Sequence, residues 1–359
     1  MKRRLFHRLI LPVLSLFLLA ACTTNKVEGE EPAMNIKGVE LTEKSVNGIT
    51  LRVAEAGPED GPLVILVHGW PELWYSWRYQ IPALAEAGYR VIVPDMRGYG
   101  GSDAPEAIEA YDIHKLTSDV VGLIDAYGRE DANLVGHDWG AAVAWYSVLL
   151  HPDRFNSLVT MSVPFPQRGN RPPTESLNHA FGDNFYYMLY FQEPGVAEAE
   201  FEADPERILK RLYASPSTPR VPPEITDPKA AAGGFAGRLG APTEHPEWMS
   251  PSDLDYYVEN FEGSGFHGGI NYYRNLDRNW ETTPELAEAT IDIPTLFIAG
   301  EKDVVIGGAT ADQLKASMSP RVTQLEDITL YPNTGHWVQQ EEADRVNADL
   351  LAFLGKVAD

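Results

Sequence analysis

The sequence predicts an α/β chain: a mostly parallel sheet with flanking helices, interrupted by an inserted helical segment. Three observations carry this. Short, continuous apolar runs at residues 63–67, 90–94, 133–135 and 294–300 have the length and character of strands buried on both faces. Helix-like stretches separate them through Ser162, the alternation that builds parallel sheets. From Pro164 to about Thr283 that alternation lapses into aromatic, charged and Pro-rich segments, and it resumes at Ile291. The expected organisation is a leader at 1–21, a tether at 22–38, a first core part at 39–163, a helical cap at 164–283 and a second core part at 284–359.

Taken in order, the chain begins with Lys2, Arg3, Arg4 and Arg8 ahead of an apolar run over residues 9–19. A membrane helix needs about 20 apolar residues; this shorter run suits the core of a signal peptide. Leu19-Ala20-Ala21-Cys22 follows and resembles a bacterial lipobox. The resemblance implies that Cys22 becomes the lipidated first residue of an exported lipoprotein, held on the periplasmic or extracellular face of a membrane through that lipid alone. The competing reading is a plain secretory signal cut near the Ala pair. Cys22 is the only cysteine, so no disulfide can form within the chain and the core must hold without one. At 359 residues the chain is long enough for that. The polar, acidic residues after Cys22 read as a flexible tether. With 29 Lys+Arg against 52 Asp+Glu the net charge is −23, which argues against nucleic acid or anionic headgroups as partners.

The first core strand, Leu63-Val64-Ile65-Leu66-Val67, leads into His68-Gly69-Trp70-Pro71. His68 reads as a structural hydrogen-bonder in that loop, and Pro71 offers the usual setting for a cis peptide bond. The next strand ends in Asp95-Met96-Arg97-Gly98-Tyr99-Gly100, where Asp95 and Arg97 read as structural.

The decisive element follows. Asn133-Leu134-Val135 runs into Gly136-His137-Asp138-Trp139-Gly140 and then the helix-like Ala141-Ala142-Val143-Ala144-Trp145. Strand, sharp turn and helix with flanking glycines form the nucleophile elbow of the α/β-hydrolase fold, with a carboxylate where serine usually stands. A carboxylate, of reference pKa about 3.9, is ionised at neutral pH without a base. It suits displacement at a saturated carbon, leaving an ester that water must cleave. That second step needs a base and a residue to orient it, in the chain order nucleophile, acid, His. Asp303 lies just past the strand ending at Gly300, and His336 sits in the loop Asn333-Thr334-Gly335-His336-Trp337. The oxyanion of that step needs donors, assigned here to the backbone N–H groups of Trp70 and Trp139.

The motifs His68-Gly69-Trp70-Pro71-Glu72 and Gly-His-Asp-Trp-Gly-Ala resemble epoxide hydrolases of the α/β-hydrolase superfamily, although haloalkane dehalogenases share the Asp and the adjacent Trp. Two cap segments distinguish them. The segments at 185–198, containing Tyr186-Tyr187, and at 265–275, containing Asn271-Tyr272-Tyr273-Arg274-Asn275, resemble the tyrosine segments of soluble epoxide hydrolase. The resemblance spans roughly residues 39–356. It implies that Tyr187 and Tyr273 donate to the epoxide oxygen, while Tyr186, Tyr190 and Tyr272 are packing residues. A phenol of reference pKa about 10 keeps its proton at neutral pH and can donate it. The implied reaction opens a small apolar epoxide with water to a vicinal diol, with no metal or organic cofactor. Two rivals stand beside it: a haloalkane or haloacid dehalogenase using the same Asp, and a non-catalytic, lipid-anchored binding protein.

Overall fold

The computed structural model describes residues 36–358. The leader, Cys22 and most of the tether therefore lie outside the described residues. Eight strands form one sheet: β1 (Glu40–Val46), β2 (Ile49–Ala56), β3 (Leu63–Val67), β4 (Arg90–Pro94), β5 (Ala132–His137), β6 (Phe155–Met161), β7 (Thr295–Gly300) and β8 (Leu325–Tyr331). Their order is β1-β2-β4-β3-β5-β6-β7-β8. β2 runs antiparallel to both neighbours, and every pairing from β4 to β8 is parallel. β3, β5 and β7 are buried at every position, as continuous apolar runs between two helical layers should be.

The sheet begins with a hairpin. Asn47 and Gly48 both have positive φ, 46° and 78°, which an Asn-Gly pair adopts readily and which matches the twist of the strands it joins. The helix Trp139–Leu150 is nearly all apolar and packs on β5 and β6. Its Trp145 is fully buried and donates its indole N–H to the Val163 carbonyl at 3.0 Å, so the ring gains apolar burial without stranding its polar atom.

Between β6 and β7 the described chain forms helices, loops and isolated bridges but no named strand. Its helices include Pro173–Phe181, Tyr187–Tyr190, Pro205–Leu212, Pro251–Ser264 and His267–Arg274. The Pro-, Gly- and Ala-rich stretch after Arg220 is a long loop with two short 3-10 turns and a bridge between Arg220 and Pro242. Ser250 accepts the Asp253 N–H, the Asp253 carboxylate accepts the Ser250 N–H, and Pro251 thereby opens a helix. Two buried aromatic bonds tie this insertion to the core: Trp74 Nε1 donates to Tyr256 Oη, and Tyr75 Oη to Asp253 Oδ1.

Candidate active site

β3, β5, β7 and β8 run parallel, so their carboxyl ends fall on one edge of the sheet. The segments that leave them there carry Trp70, Asp138, Asp303 and His336 respectively. That edge is where open α/β sheets build their sites.

Asp138 takes φ 52° and ψ −119°, a region disfavoured for any residue with a side chain, where strain costs about 1–3 kcal/mol. The surrounding glycines make this turn possible. A Cβ on Gly136 would stand 2.2 Å from the Gly140 carbonyl oxygen, and one on Gly140 would stand 2.0 Å from that of Val67. A Cβ on Gly69 would strike Asp138 itself. The close approach lets the Trp70 backbone N–H donate to Asp138 Oδ1 at 2.8 Å. The Trp70–Pro71 peptide bond is cis. Trp139 opens the helix behind Asp138, so its N–H belongs to the first-turn donors that have no acceptor within the helix.

The other carboxylate oxygen, Oδ2, lies 3.5 Å from His336 Nε2. On the far side of the ring, Nδ1 donates to Asp303, 3.1 Å from Oδ1 and 3.0 Å from Oδ2. Asp303 is buried and also accepts the Val305 N–H. Burial alone would raise its pKa, but the His336 ring and the hydrogen bonds outweigh it and hold the carboxyl below its ordinary value. Burial likewise opposes charge on His336; Asp303 and Asp138 together overcome it and push the imidazole well above its usual range.

A cavity of about 520 Å³ opens over Asp138 and His336. Its walls include Trp70, Tyr187, Phe235, Tyr273 and Trp337, with Arg211, Arg220 and Lys302 also lining it. The rings of Tyr187 and Tyr273 meet edge-on, 5.6 Å apart, and Tyr273 stands edge-on to Trp139 at 5.1 Å. Burial first, then the nearby Asp138 charge among other neighbours, raises both phenols well above their usual pKa, so each keeps its proton. The adjacent tyrosines point elsewhere. Tyr186 stacks on Phe181, Tyr190 donates to Glu200 and Tyr272 donates to the Arg97 carbonyl. Among the described residues no cluster of three or more His, Cys, Asp or Glu side chains could hold a metal ion.

Asp95 and Arg97 do not reach the cavity. Asp95 takes Arg52 and the Trp74 and Gly101 N–H groups, and Arg97 pairs with Asp119. His68 accepts the Met96 N–H and donates to the Gly69 carbonyl.

Sequence reasoning gave no role to a buried pair behind the site. Glu72 Oε1 accepts the Gly69 N–H at 2.9 Å and meets His137 Nδ1 at 2.6 Å; Oε2 accepts from Gln339 Nε2 at 2.9 Å. His137 Nε2 donates to the His336 carbonyl at 2.8 Å, and Ser162 Oγ donates to the same oxygen. Burial alone would raise the Glu72 pKa, but the His137 ring and the hydrogen bonds outweigh it and hold it at about 2. The signal was present: Glu72 closes the His-Gly-Trp-Pro-Glu motif and His137 stands inside the elbow.

A family model described as the α/β hydrolase fold matches residues 62–343. The chain is 50% identical over 315 residues to epoxide hydrolase A of Mycobacterium tuberculosis, covering 86% of this chain and 95% of that protein. It is 39% identical to epoxide hydrolase 1 of Siraitia grosvenorii, covering 88% and 98%. Among solved structures, epoxide hydrolase A from Mycobacterium thermoresistibile superposes with a TM-score of 0.80 at 47% identity, covering 88% of this chain and 98% of that one. An epoxide hydrolase from an endophytic Streptomyces gives 0.82 at 38% identity, covering 90% and 97%.

Proposed function

The chain belongs to the epoxide hydrolases of the α/β-hydrolase superfamily, and from that premise we propose that Asp138 opens the epoxide by forming a covalent ester. The observation that carries this reading is the position of its carboxylate. One oxygen is held by the Trp70 N–H, the other faces His336, and Tyr187 and Tyr273 line the cavity above.

The two oxygens have different fates. Oδ2 attacks the less hindered ring carbon and the ring C–O bond breaks. The oxygen that leaves takes a proton from the Tyr187 and Tyr273 pair, which hydrogen-bonds it throughout, and the proton His336 sheds once the ester has formed restores the pair. Oδ1 becomes the ester carbonyl and already occupies the place where the oxyanion will form, beside the Trp70 N–H and with the Trp139 N–H as second donor. His336, oriented by Asp303, then takes a proton from water, which adds to the ester carbonyl carbon. The acyl C–O bond breaks, the departing oxygen takes the second proton of that water, and a vicinal diol leaves behind an Asp138 carboxylate that carries one oxygen from water. Residues 164–283 act as the cap that brings the tyrosines over Asp138. The aromatic walls favour an apolar epoxide.

Replacing His336 with Gln should permit alkylation and trap the ester, so mass spectrometry should find Asp138 carrying the mass of the intact epoxide. A single wild-type turnover in heavy-oxygen water should label Asp138. Label found in the diol and never in Asp138 would sink the covalent route. Halide release from matched alkyl halides, run alongside, tests the dehalogenase alternative.

We propose further that the enzyme lies outside the cytoplasm, tethered by lipid on Cys22. What supports it is the order of basic residues, short apolar run and Leu-Ala-Ala-Cys at the N-terminus.

A further inference from the structure

His336 sits on a loop between β8 and the one-turn helix Val338–Glu341, with no regular element of its own to fix it. Its carbonyl is held from behind by His137 and Ser162. The N–H groups on either side of it, those of Gly335 and Trp337, both donate to one side chain. Glu341 Oε2 accepts the Gly335 N–H at 3.0 Å, and Oε1 accepts the Trp337 N–H at 3.0 Å. The Glu341 N–H returns a bond to the Trp337 carbonyl at 2.8 Å, which closes the ring. The fit is tight: a Cβ on Gly335 would stand 2.9 Å from Glu341 Oε1 and 2.7 Å from Pro216 Cδ. Burial raises the Glu341 pKa even though two N–H groups and the His336 charge work against it, so the carboxylate is kept here at an electrostatic cost.

A carboxylate bridging the peptides before and after His336 fixes the direction of its Cα–Cβ bond, and with it the height of the imidazole above Asp138. We propose that Glu341 is a positioning residue for His336 and serves ester hydrolysis selectively, leaving ester formation alone. The inference rests on the two-step reading above. The Glu341 carboxylate bonds to the Gly335 and Trp337 N–H groups and makes no hydrogen bond to Asp138, Trp70, Tyr187 or Tyr273, so the groups assigned to the first step keep their own supports. The second step needs His336 Nε2 aimed at a water over the ester carbonyl, and misplacement by about 1 Å can cost roughly 100-fold.

The test measures both half-reactions in single turnovers, following the ester on Asp138 by quench and mass spectrometry. In Glu341→Ala, ester formation should stay within about twofold while hydrolysis slows roughly 10- to 100-fold. Glu341→Gln keeps one acceptor and should fall between that variant and wild type, which covers the case in which the Ala variant folds poorly. In the steady state kcat and KM should fall together once hydrolysis limits turnover. A merely structural role would lower the active fraction, reducing kcat and leaving KM where it was. Equal slowing of both steps, or wild-type hydrolysis in both variants, overturns the assignment. His336→Gln is the control. If it traps ester while both Glu341 variants hydrolyse normally, only the role of Glu341 is lost; if it traps none, the covalent reading falls and takes this inference with it.

Discussion

Replacing Glu72 with Ala tests how much of the site's rigidity comes from the buried pair behind it. Glu72 and His137 are both inaccessible to solvent, and the carboxylate satisfies three donors: the Gly69 N–H, His137 Nδ1 and Gln339 Nε2. His137 Nε2 faces a carbonyl, which can only accept, so that nitrogen carries a proton. A second proton lies in the 2.6 Å contact between Nδ1 and Glu72 Oε1. Truncation would leave that imidazole facing no carboxylate. Breaking a buried pair in this way costs about 3–5 kcal/mol. Linkage gives a second route to the magnitude. The Glu72 pKa falls from 4.5 to about 2, and each unit is worth about 1.4 kcal/mol, so the interaction contributes about 3–4 kcal/mol.

The sign fixes the pH window. Because folding depresses this pKa, the stabilisation is fully present above about 4.5 and is lost as pH falls toward about 2. Urea unfolding at pH 7 should show Glu72→Ala less stable by about 3–5 kcal/mol. For a body of this size that corresponds to a fall in Tm of roughly 4–8 °C. Repeated at successively lower pH, the gap to wild type should narrow below about 4.5. A variant within about 1 kcal/mol of wild type at pH 7, or a gap that is indifferent to acid, would refute the ion-pair argument.

On the proposed mechanism the two cap tyrosines share one oxygen, so their losses should not add. Either Tyr187→Phe or Tyr273→Phe should keep partial turnover. The double variant should lose roughly 10²–10⁴-fold in ester formation with little change in binding of an apolar epoxide, and alkylation at the wild-type rate would make them ordinary packing residues. At the N-terminus, Cys22→Ala should abolish lipid attachment and either release an active soluble enzyme or stall processing. Detergent partitioning with intact mass reads the outcome, and unchanged membrane association without lipid on the wild-type mature N-terminus counts against it.

Half of the sheet was legible because β3, β4, β5 and β7 are short apolar runs bounded by turn residues, and burial on both faces requires that composition. The hairpin of β1 and β2 was not read, although Asn47-Gly48 is a strong turn signal, because β1 is largely exposed and its sequence Glu-Leu-Thr-Glu-Lys-Ser-Val looks polar. β8 escaped for a related reason: it is the edge strand, with only two of its seven residues buried. At the site, Asp138, Asp303 and His336 were readable because each ends a strand in a fixed order. The structure brings them to one point and lines the same cavity with Tyr187 and Tyr273. His137 acts on a backbone carbonyl 199 residues away and Glu72 takes Gln339 across 267, pairings that no local pattern announces; Glu341 accepts N–H groups only four and six residues before it, but in a loop with no regular period to read.

On the proposed mechanism, the distance between Asp138 and His336 also sets the order of the two steps. In the free enzyme His336 lies between Asp138 and Asp303, and the two carboxylates hold its pKa high against the opposing effect of burial. A protonated imidazole has no lone pair at Nε2 and cannot accept a proton from water. Esterification neutralises Asp138 and leaves Asp303 as the one charge still paired with the ring, so the His336 pKa falls. The imidazole then sheds a proton and becomes a base at the moment there is an ester to cleave. The proton it releases equals the one that the opened ring's oxygen requires, so the first half-reaction closes without a net demand on solvent. Two carboxylates against one imidazole therefore do different work: Asp303 is never alkylated and keeps the ring oriented, while Asp138, by losing its charge, starts the hydrolysis of its own ester.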